Sequence, residues 1–113
     1  MYATPVSVRS LMIANGDAAK RIWNTEAGAP SCTANVTYTP CVSPVQQADL
    51  ASAEVRLWRS FSWAGGFYWY EIRDDSTDTK DAISHFGAVY ANGSPKPSYY
   101  ALKQAWEPGA PLA

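Results

Sequence analysis

The sequence predicts an α/β fold with two parallel strands, and two observations support this prediction. Residues 22–25 and 67–72 are short β-prone runs, and each is followed by residues with helical periodicity. Because strand–helix–strand crossovers are right-handed, such units place their strands parallel. The second run, Phe-Tyr-Trp-Tyr-Glu-Ile, lacks apolar/polar alternation, which is typical of a strand covered on both faces.

A first helix is predicted before these strands, over residues 6–14. It lies between the start signals Thr4 and Pro5 and a stop signal at residues 15–16, Asn-Gly. Its expected buried face comprises Val8, Leu11 and Met12.

Two further helices follow the strands. The second helix has the clearest start, because Ser43 suits the N-cap, Pro44 the first helical position and Gln46 a capping box. Its expected buried stripe comprises Ala48, Ala51, Val55 and Trp58. The third helix begins near Pro97, and its expected buried face comprises Tyr99, Leu102 and Trp106.

Charge and composition exclude several classes of function. With 9 Lys and Arg against 10 Asp and Glu, the formal net charge is −1, so the chain has no positive excess for a phosphate backbone or an anionic membrane. We therefore predict no nucleic-acid partner and no membrane partner. Metal-ligand spacings and glycine-rich phosphate loops are absent from the sequence, so no metal and no cofactor are predicted.

The two cysteines, Cys32 and Cys41, enclose a polar loop at residues 33–40. A polar loop favours a local disulfide over a pair of unlinked buried thiols. A disulfide would place the protein in an oxidising compartment, so we predict an extracellular or periplasmic location.

Glu26 is the first candidate functional residue. It follows the first strand run and precedes a turn that contains Gly and Pro. Catalytic residues of parallel β/α barrels lie at this end of their strands. Asn24, two residues earlier, is placed to aim its side chain at the Glu26 carboxylate. The alternative is that Glu26 is an ordinary exposed residue of a loop.

The aromatic run at residues 67–70 is the second candidate. Aromatic faces stack on sugar rings, whereas the polar tips of Tyr and Trp orient hydroxyls. Alternation along a strand lets only half of these rings line a site, and Trp69 is favoured over its neighbour Tyr70. The alternative for Trp69 is packing between the strand and the helices. His85 has no nucleophile motif beside it and is predicted to be structural.

Three segments occur in the order RIWNTEAG at 21–28, FYWYEIRD at 67–74, and HFG at 85–87 with GSPKPSY at 93–99. Together they resemble retaining glycoside hydrolases with the (β/α)8 barrel, closest to the cellulase-like family 5 and the β-xylosidase-like family 39. The first segment is similar to strand seven, where Thr-Glu-x-Gly carries the nucleophile. The second is similar to strand eight, and the third to the stretch that leads into the last helix.

The resemblance implies that residues 1–107 are the carboxy-terminal part of one catalytic barrel and that residues 108–113 are a tail. It implies that Glu26 is the nucleophile and that Trp69 supports the sugar in the adjoining subsite, with Asn24 beside the nucleophile. Asn24 and Tyr70 are predicted with Trp69 to bind the substrate, an oligosaccharide, polysaccharide or other glycoside. The amino-terminal half of the barrel, absent from this sequence, is the implied partner.

Retaining hydrolysis needs two carboxyl groups roughly 5–5.5 Å apart. In the families that the chain resembles, the acid/base is a Glu that follows an Asn, and no Asn-Glu pair occurs in this sequence. We therefore predict that the chain alone lacks catalysis. The alternative function is a non-catalytic carbohydrate-binding or structural fragment, which needs the aromatic residues but not Glu26.

Overall fold

The computed structural model describes residues 7–33, 40–78 and 81–112. Within these ranges, the order of elements is helix, strand, helix, strand, short 3-10 helix and helix. The elements are α1 (Val8–Ala14), β1 (Ile22–Ala27), α2 (Pro44–Ser60), β2 (Ala64–Trp69), the 3-10 helix (Ala82–His85) and α3 (Pro97–Trp106). β1 and β2 form a two-stranded parallel sheet. The predicted α/β class and the parallel arrangement of the strands are confirmed.

α1 starts and ends close to its predicted bounds, but it does not bury its apolar residues. Ser7 is the N-cap, and its hydroxyl accepts a hydrogen bond from the Ser10 backbone N–H. The predicted start signals at residues 4–5 lie outside the described residues. Val8 and Leu11 are 55% and 54% exposed, so the prediction of a buried face is wrong for them. No described element covers this side of α1.

α2 begins as predicted, with Ser43 and Gln46 forming a capping box and Pro44 in the first turn. Its buried residues are Gln47, Ala51, Val55 and Trp58, so a buried glutamine replaces the predicted Ala48. Gln47 Nε2 donates to the backbone carbonyls of Ala29 and Gly87, at 2.8 and 3.3 Å. These hydrogen bonds explain why a polar side chain lies in the core.

α3 begins at the predicted Pro97 and packs against α2. Its buried residues are Ser98 and Ala105, whereas Tyr99 and Trp106 remain 44% and 43% exposed. The predicted burial of these two rings is therefore wrong, because the described part of the chain covers their side of α3 only in part.

Both strands differ from their predicted bounds. β1 continues to Ala27, so Glu26 belongs to the strand. β2 starts at Ala64 and ends at Trp69, which makes residues 65–66 strand residues and leaves residues 70–72 beyond the strand. The Gly pair at 65–66 fits because the Trp23 indole lies against it: a Cβ at either glycine would come within 2.8 Å of that ring.

The two faces of the sheet differ in their coverage. Phe67 faces the helices, with its ring centroid 6.4 Å from that of Trp58 and 6.1 Å from that of Trp106. On the opposite face, Trp23 and Tyr68 stack with centroids 6.3 Å apart, and more than half of each side chain is exposed. In the described part of the chain, helices therefore lie on one side of the sheet only, and these residues do not supply the second cover that is predicted for β2.

Cys32 and Cys41 form a disulfide, as predicted, with a Cα–Cα distance of 5.1 Å. The bond closes a loop that follows β1 and precedes α2. Among the described helices, none combines the length and the apolar character needed to cross a membrane.

Candidate active site

Glu26 lies on the open face of the sheet, at the carboxyl end of β1. Asn24 pairs with Phe67 and Ala27 with Trp69, so three steps along β1 match two steps along β2. This irregularity inserts one extra residue into β1, as in a β-bulge. Paired residues of a parallel sheet point to the same side, so Ala27 faces the helices with Trp69. Glu26, one residue before Ala27, points away from the helices and is exposed.

Glu26 lines a cavity of about 420 Å³. Residues at the carboxyl ends of both strands contribute to the wall of this cavity. The other side chains and backbone in its wall belong to Ala27, Gly28, Tyr70, Ile83 and Phe86. The Tyr70 backbone N–H donates to the Ala27 carbonyl at 2.7 Å. A Cβ on Gly28 would overlap the Tyr70 carbonyl oxygen, so the Thr-Glu-Ala-Gly segment needs glycine at its last position.

Tyr70 is the residue of the predicted aromatic run at 67–70 that shares this cavity with the carboxylate. Its ring meets the Phe86 ring edge-on, with centroids 5.5 Å apart. The pKa of the Tyr70 phenol is raised above its ordinary value, mainly by the charge of Glu71 and further by burial and by the charges of Asp75 and Glu26. The phenol therefore stays protonated at neutral pH, and it can donate a hydrogen bond to a ligand beside Glu26.

Trp69 lies elsewhere. It lines a separate cavity of about 370 Å³, together with Glu71, Tyr99, Leu102 and Trp106. The reason is the register of the sheet: Trp69 pairs with Ala27 and points to the helix side, whereas Glu26 points to the open side. The structure brings Tyr70 to the candidate nucleophile and does not bring Trp69 there.

Asn24 and Glu26 line the same groove, which has a volume of about 270 Å³. The other residues that line it are the remaining residues of β1 from Ile22 to Thr25, together with Trp58 of α2. Asn24 is half-buried and pairs with Phe67 on the helix side of the sheet. Of the three predicted substrate-binding residues, Tyr70 and Asn24 therefore share a cavity or groove with Glu26.

Glu71, the nearest acidic residue in sequence to Tyr70, does not share the cavity of Glu26. It lines the cavity of Trp69, and its Oε1 is buried without a hydrogen-bond partner among the described residues. Burial is the main cause that raises the pKa of Glu71, and the charge of Asp75, a hydrogen bond with Asp75 and the charge of Asp74 add to it. Glu71 therefore does not supply the second carboxyl group that the mechanism needs beside Glu26.

The raised pKa of Glu71 predicts a pH-dependent effect on stability. The folded chain binds the Glu71 proton more tightly than the unfolded chain, so folding loses stability as pH rises from the ordinary glutamate value of 4.5 through the raised value. We expect Glu71→Gln to remove this loss. Urea unfolding should give the variant a higher midpoint than the parent at pH 7 and an equal midpoint at pH 4. The matched control is Glu107→Gln, at an exposed carboxylate beyond α3, which should leave the midpoint unchanged at both values.

Two residues of the Glu26 cavity, Ile83 and Phe86, are not predicted from the sequence. They come from the 3-10 helix and the residue after it, and no periodicity of the sequence placed this segment opposite β1. Among the described residues, no group of three or more His, Cys, Asp or Glu side chains could hold a metal ion.

No protein-family profile matches the chain, and no curated protein does so. Solved structures do match it. A family 39 glycoside hydrolase from the gut symbiont Bacteroides cellulosilyticus WH2 superposes on 75% of this chain, with 27% identity and a TM-score of 0.64, over 16% of its own length. The chain has the fold of part of a (β/α)8-barrel glycoside hydrolase.

A GH5_18 enzyme from Streptomyces cattleya in complex with GlcNAc matches 91% of this barrel segment and 26% of its own chain, with 21% identity and a TM-score of 0.61. A variant of that enzyme in complex with Manβ1-4GlcNAc matches 80% of the segment and 22% of its own chain, with 21% identity and a TM-score of 0.58. The predicted resemblance to families 5 and 39 is confirmed. The segment spans 16–26% of the length of these structures.

Proposed function

We propose that this barrel segment supplies the nucleophile of a retaining glycoside hydrolase, with Glu26 as that nucleophile. One observation carries the proposal: Glu26 lies at the carboxyl end of a parallel strand and opens into a cavity beside the Tyr70 phenol. This is the end of the strands at which β/α barrels hold their active sites. The likeness to glycoside hydrolase structures supports the same reaction class.

In this reaction, a carboxylate oxygen of Glu26 attacks the anomeric carbon of the glycoside. A C–O ester bond forms to the enzyme, and the bond to the leaving oxygen breaks while a general acid gives that oxygen a proton. Water then attacks the same carbon, the ester bond breaks, and the proton of the water passes to the conjugate base of that acid. Tyr70 donates a hydrogen bond to the sugar or to the Glu26 carboxylate during these steps.

The general acid is proposed to come from the rest of the barrel, outside these 113 residues. Glu71 faces the cavity of Trp69, and no Asn-Glu pair occurs in the chain. The exposed Trp23 and Tyr68 rings form the face that a closed barrel would turn toward its interior. The substrate is proposed to be an oligosaccharide or polysaccharide, and the Cys32–Cys41 disulfide supports an extracellular or periplasmic location.

Covalent labelling tests the proposed nucleophile. The probe is a panel of 2-deoxy-2-fluoro glycosides with dinitrophenolate leaving groups. The fluorine slows hydrolysis of the glycosyl ester, and dinitrophenolate departs without help from an acid. The protein is isolated from its source through a tag on its chromosomal gene, so that it carries whatever completes the barrel. We expect intact-mass analysis to show one added glycosyl group, mapped by peptide sequencing to Glu26.

Two controls decide between catalysis and binding. The Glu26→Gln variant should take up no label, whereas Glu107→Gln should be labelled like the parent. A protein that binds the sugars yet carries no label at Glu26 would support the non-catalytic, carbohydrate-binding alternative. A label on another carboxylate would refute the assignment of Glu26.

A further inference from the structure

A buried ionic cluster lies behind the cavity of Glu26, and the proposed reaction does not use it. Lys96 is fully buried, and Asp74 and His85 are 4% and 6% exposed. The Lys96 ammonium donates to Asp74 Oδ1 at 2.7 Å, to the Ser31 hydroxyl at 3.0 Å and to the His85 carbonyl at 3.2 Å. All three N–H groups of the ammonium are therefore used.

The cluster ties three parts of the chain together. Ser31 belongs to the loop after β1, Asp74 to the loop after β2, and Lys96 is the N-cap residue of α3. Asp74 Oδ1 also accepts the Gly87 backbone N–H at 2.9 Å, and the Ser31 backbone N–H donates to the His85 carbonyl at 3.0 Å. The segment from His85 to Gly87 is thus fixed from both sides.

This segment forms one wall of the Glu26 cavity. The 3-10 helix turns His85 toward the cluster, whereas Ile83 is 67% exposed and lines the cavity. Phe86, the next residue after His85, lines the same cavity, and its carbonyl accepts the Glu71 backbone N–H at 3.0 Å. The position of the wall therefore follows the position of His85.

His85 completes its hydrogen bonds in one protonation state only. Its Nδ1 lies 3.1 Å from Asp74 Oδ2, and its Nε2 lies 2.6 Å from the Asp78 carbonyl oxygen. Carboxylate and carbonyl oxygens only accept hydrogen bonds, so each contact needs an N–H on the ring. A neutral imidazole has one N–H, and it would leave one ring nitrogen facing an oxygen without a proton between them.

The charges that face His85 come from each element packed against it. Asp74 faces it from the loop after β2, and Lys96 from the start of α3. On the segment of His85 itself, the Asp81 carboxylate accepts hydrogen bonds from the Ile83 backbone N–H at 3.1 Å and from the Ser84 hydroxyl at 2.7 Å. From the loop after β1, the neighbour is the uncharged Ser31.

We propose that the Asp74–His85–Lys96 cluster positions the wall of the Glu26 cavity, and that the doubly protonated His85 ring holds Ile83 and Phe86 in place. The proposal rests on the proposed function for its effect on catalysis, but the movement of the wall can be measured without any reaction. Loss of one proton from His85 releases one of its two hydrogen bonds and loosens this wall. His85, Asp74 and Lys96 are positioning residues, because none of them lines the cavity of Glu26.

Nuclear magnetic resonance of the chain tests the movement. The sequence has one histidine, so its ring nitrogens give one pair of signals. As the pH is raised, we expect the signals to change from those of two protonated nitrogens to those of one, because the two hydrogen bonds at Nδ1 and Nε2 each need an N–H. The Ile83 methyl signal should shift with the same midpoint, whereas the methyl signal of Ile13, on the exposed side of α1, should stay constant. Either of two results would overturn the proposal. The first is a His85 ring with only one protonated nitrogen at every pH, and the second is an Ile83 methyl signal that does not shift when His85 loses its proton.

Enzyme kinetics of the source-isolated protein then test the effect on catalysis. With parent protein, KM should rise several-fold through the histidine transition while kcat changes little, because the wall contacts substrate and does not react. In His85→Gln, KM should equal the raised KM that the parent shows after its histidine loses a proton, and this KM should not change across the same pH range. If the Ile83 signal shifts with the protonation of His85 but the protein has no glycosidase activity, the proposed function is refuted and the positioning role is retained. Activity that depends on Glu26, together with a static Ile83 signal, would refute the positioning role alone.

Discussion

We expect Glu26→Gln to lower kcat/KM of the source-isolated protein by at least about 10³-fold on its glycoside. The amide has almost the same shape as the carboxylate, so it keeps the cavity of about 420 Å³ that Glu26 and Tyr70 both line. The amide lacks the negative charge and is a poor nucleophile, so the ester to the anomeric carbon does not form. The measurement is the initial rate of release of the leaving group over a range of substrate concentrations.

Glu107→Gln is the matched control, because it makes the same chemical change at an exposed carboxylate beyond α3. Its rate should equal that of the parent. A second variant, Glu26→Ala, separates the loss of the nucleophile from misfolding: added azide should restore turnover of a dinitrophenyl glycoside and yield a glycosyl azide. Unchanged turnover in Glu26→Gln would show that Glu26 is not the nucleophile.

The second large effect is expected for Lys96→Met, which should lower the free energy of unfolding by about 3–5 kcal/mol. Methionine keeps most of the apolar stem but removes the ammonium that donates to Asp74 at 2.7 Å. The Asp74 carboxylate, 4% exposed, then loses its closest cation. Removal of one partner of a buried ion pair is costly because the other charge stays buried. Urea unfolding, followed by circular dichroism, measures the change.

Lys20→Met is the control for this prediction. Lys20 pairs with Asp17 at 2.9 Å, but its side chain is 72% exposed, so the loss should stay below about 1 kcal/mol. The double variant Asp74→Asn with Lys96→Met should be more stable than Lys96→Met, because asparagine buries no charge in place of the Asp74 carboxylate that has lost Lys96, and its amide oxygen still accepts the Gly87 N–H. A Lys96→Met chain as stable as the parent would show that the buried pair contributes no net stability.

Much of the fold is predictable from local chemistry. Ser43, Pro44 and Gln46 set the start of α2, because an N-cap hydroxyl and a capping box act over four consecutive residues. Pro97 sets the start of α3 in the same way. The parallel order of β1 and β2 follows from one amphipathic helix between two β-prone runs. These features depend on residues that are close in sequence.

The detail of the strands is less predictable. β2 includes the glycine pair at 65–66, although glycine lowers strand propensity, because the Trp23 indole from β1 fills the space above those residues. The buried face of α1 was also predicted from periodicity, yet Val8 and Leu11 remain exposed. Periodicity identifies an apolar face but does not supply the surface that covers it.

By itself, the sequence determined the α/β class, the disulfide between Cys32 and Cys41, and the place of Glu26 near the end of a strand. Only the tertiary structure decided that Tyr70, and not Trp69, lies beside Glu26. The physical reason is the extra residue in β1 between Asn24 and Ala27, which sets the side to which each side chain points. The burial of Lys96 was likewise decided by the tertiary structure. Its ammonium pairs with the Asp74 carboxylate, which lies in the loop after β2, and no local sequence pattern shows that these two residues meet.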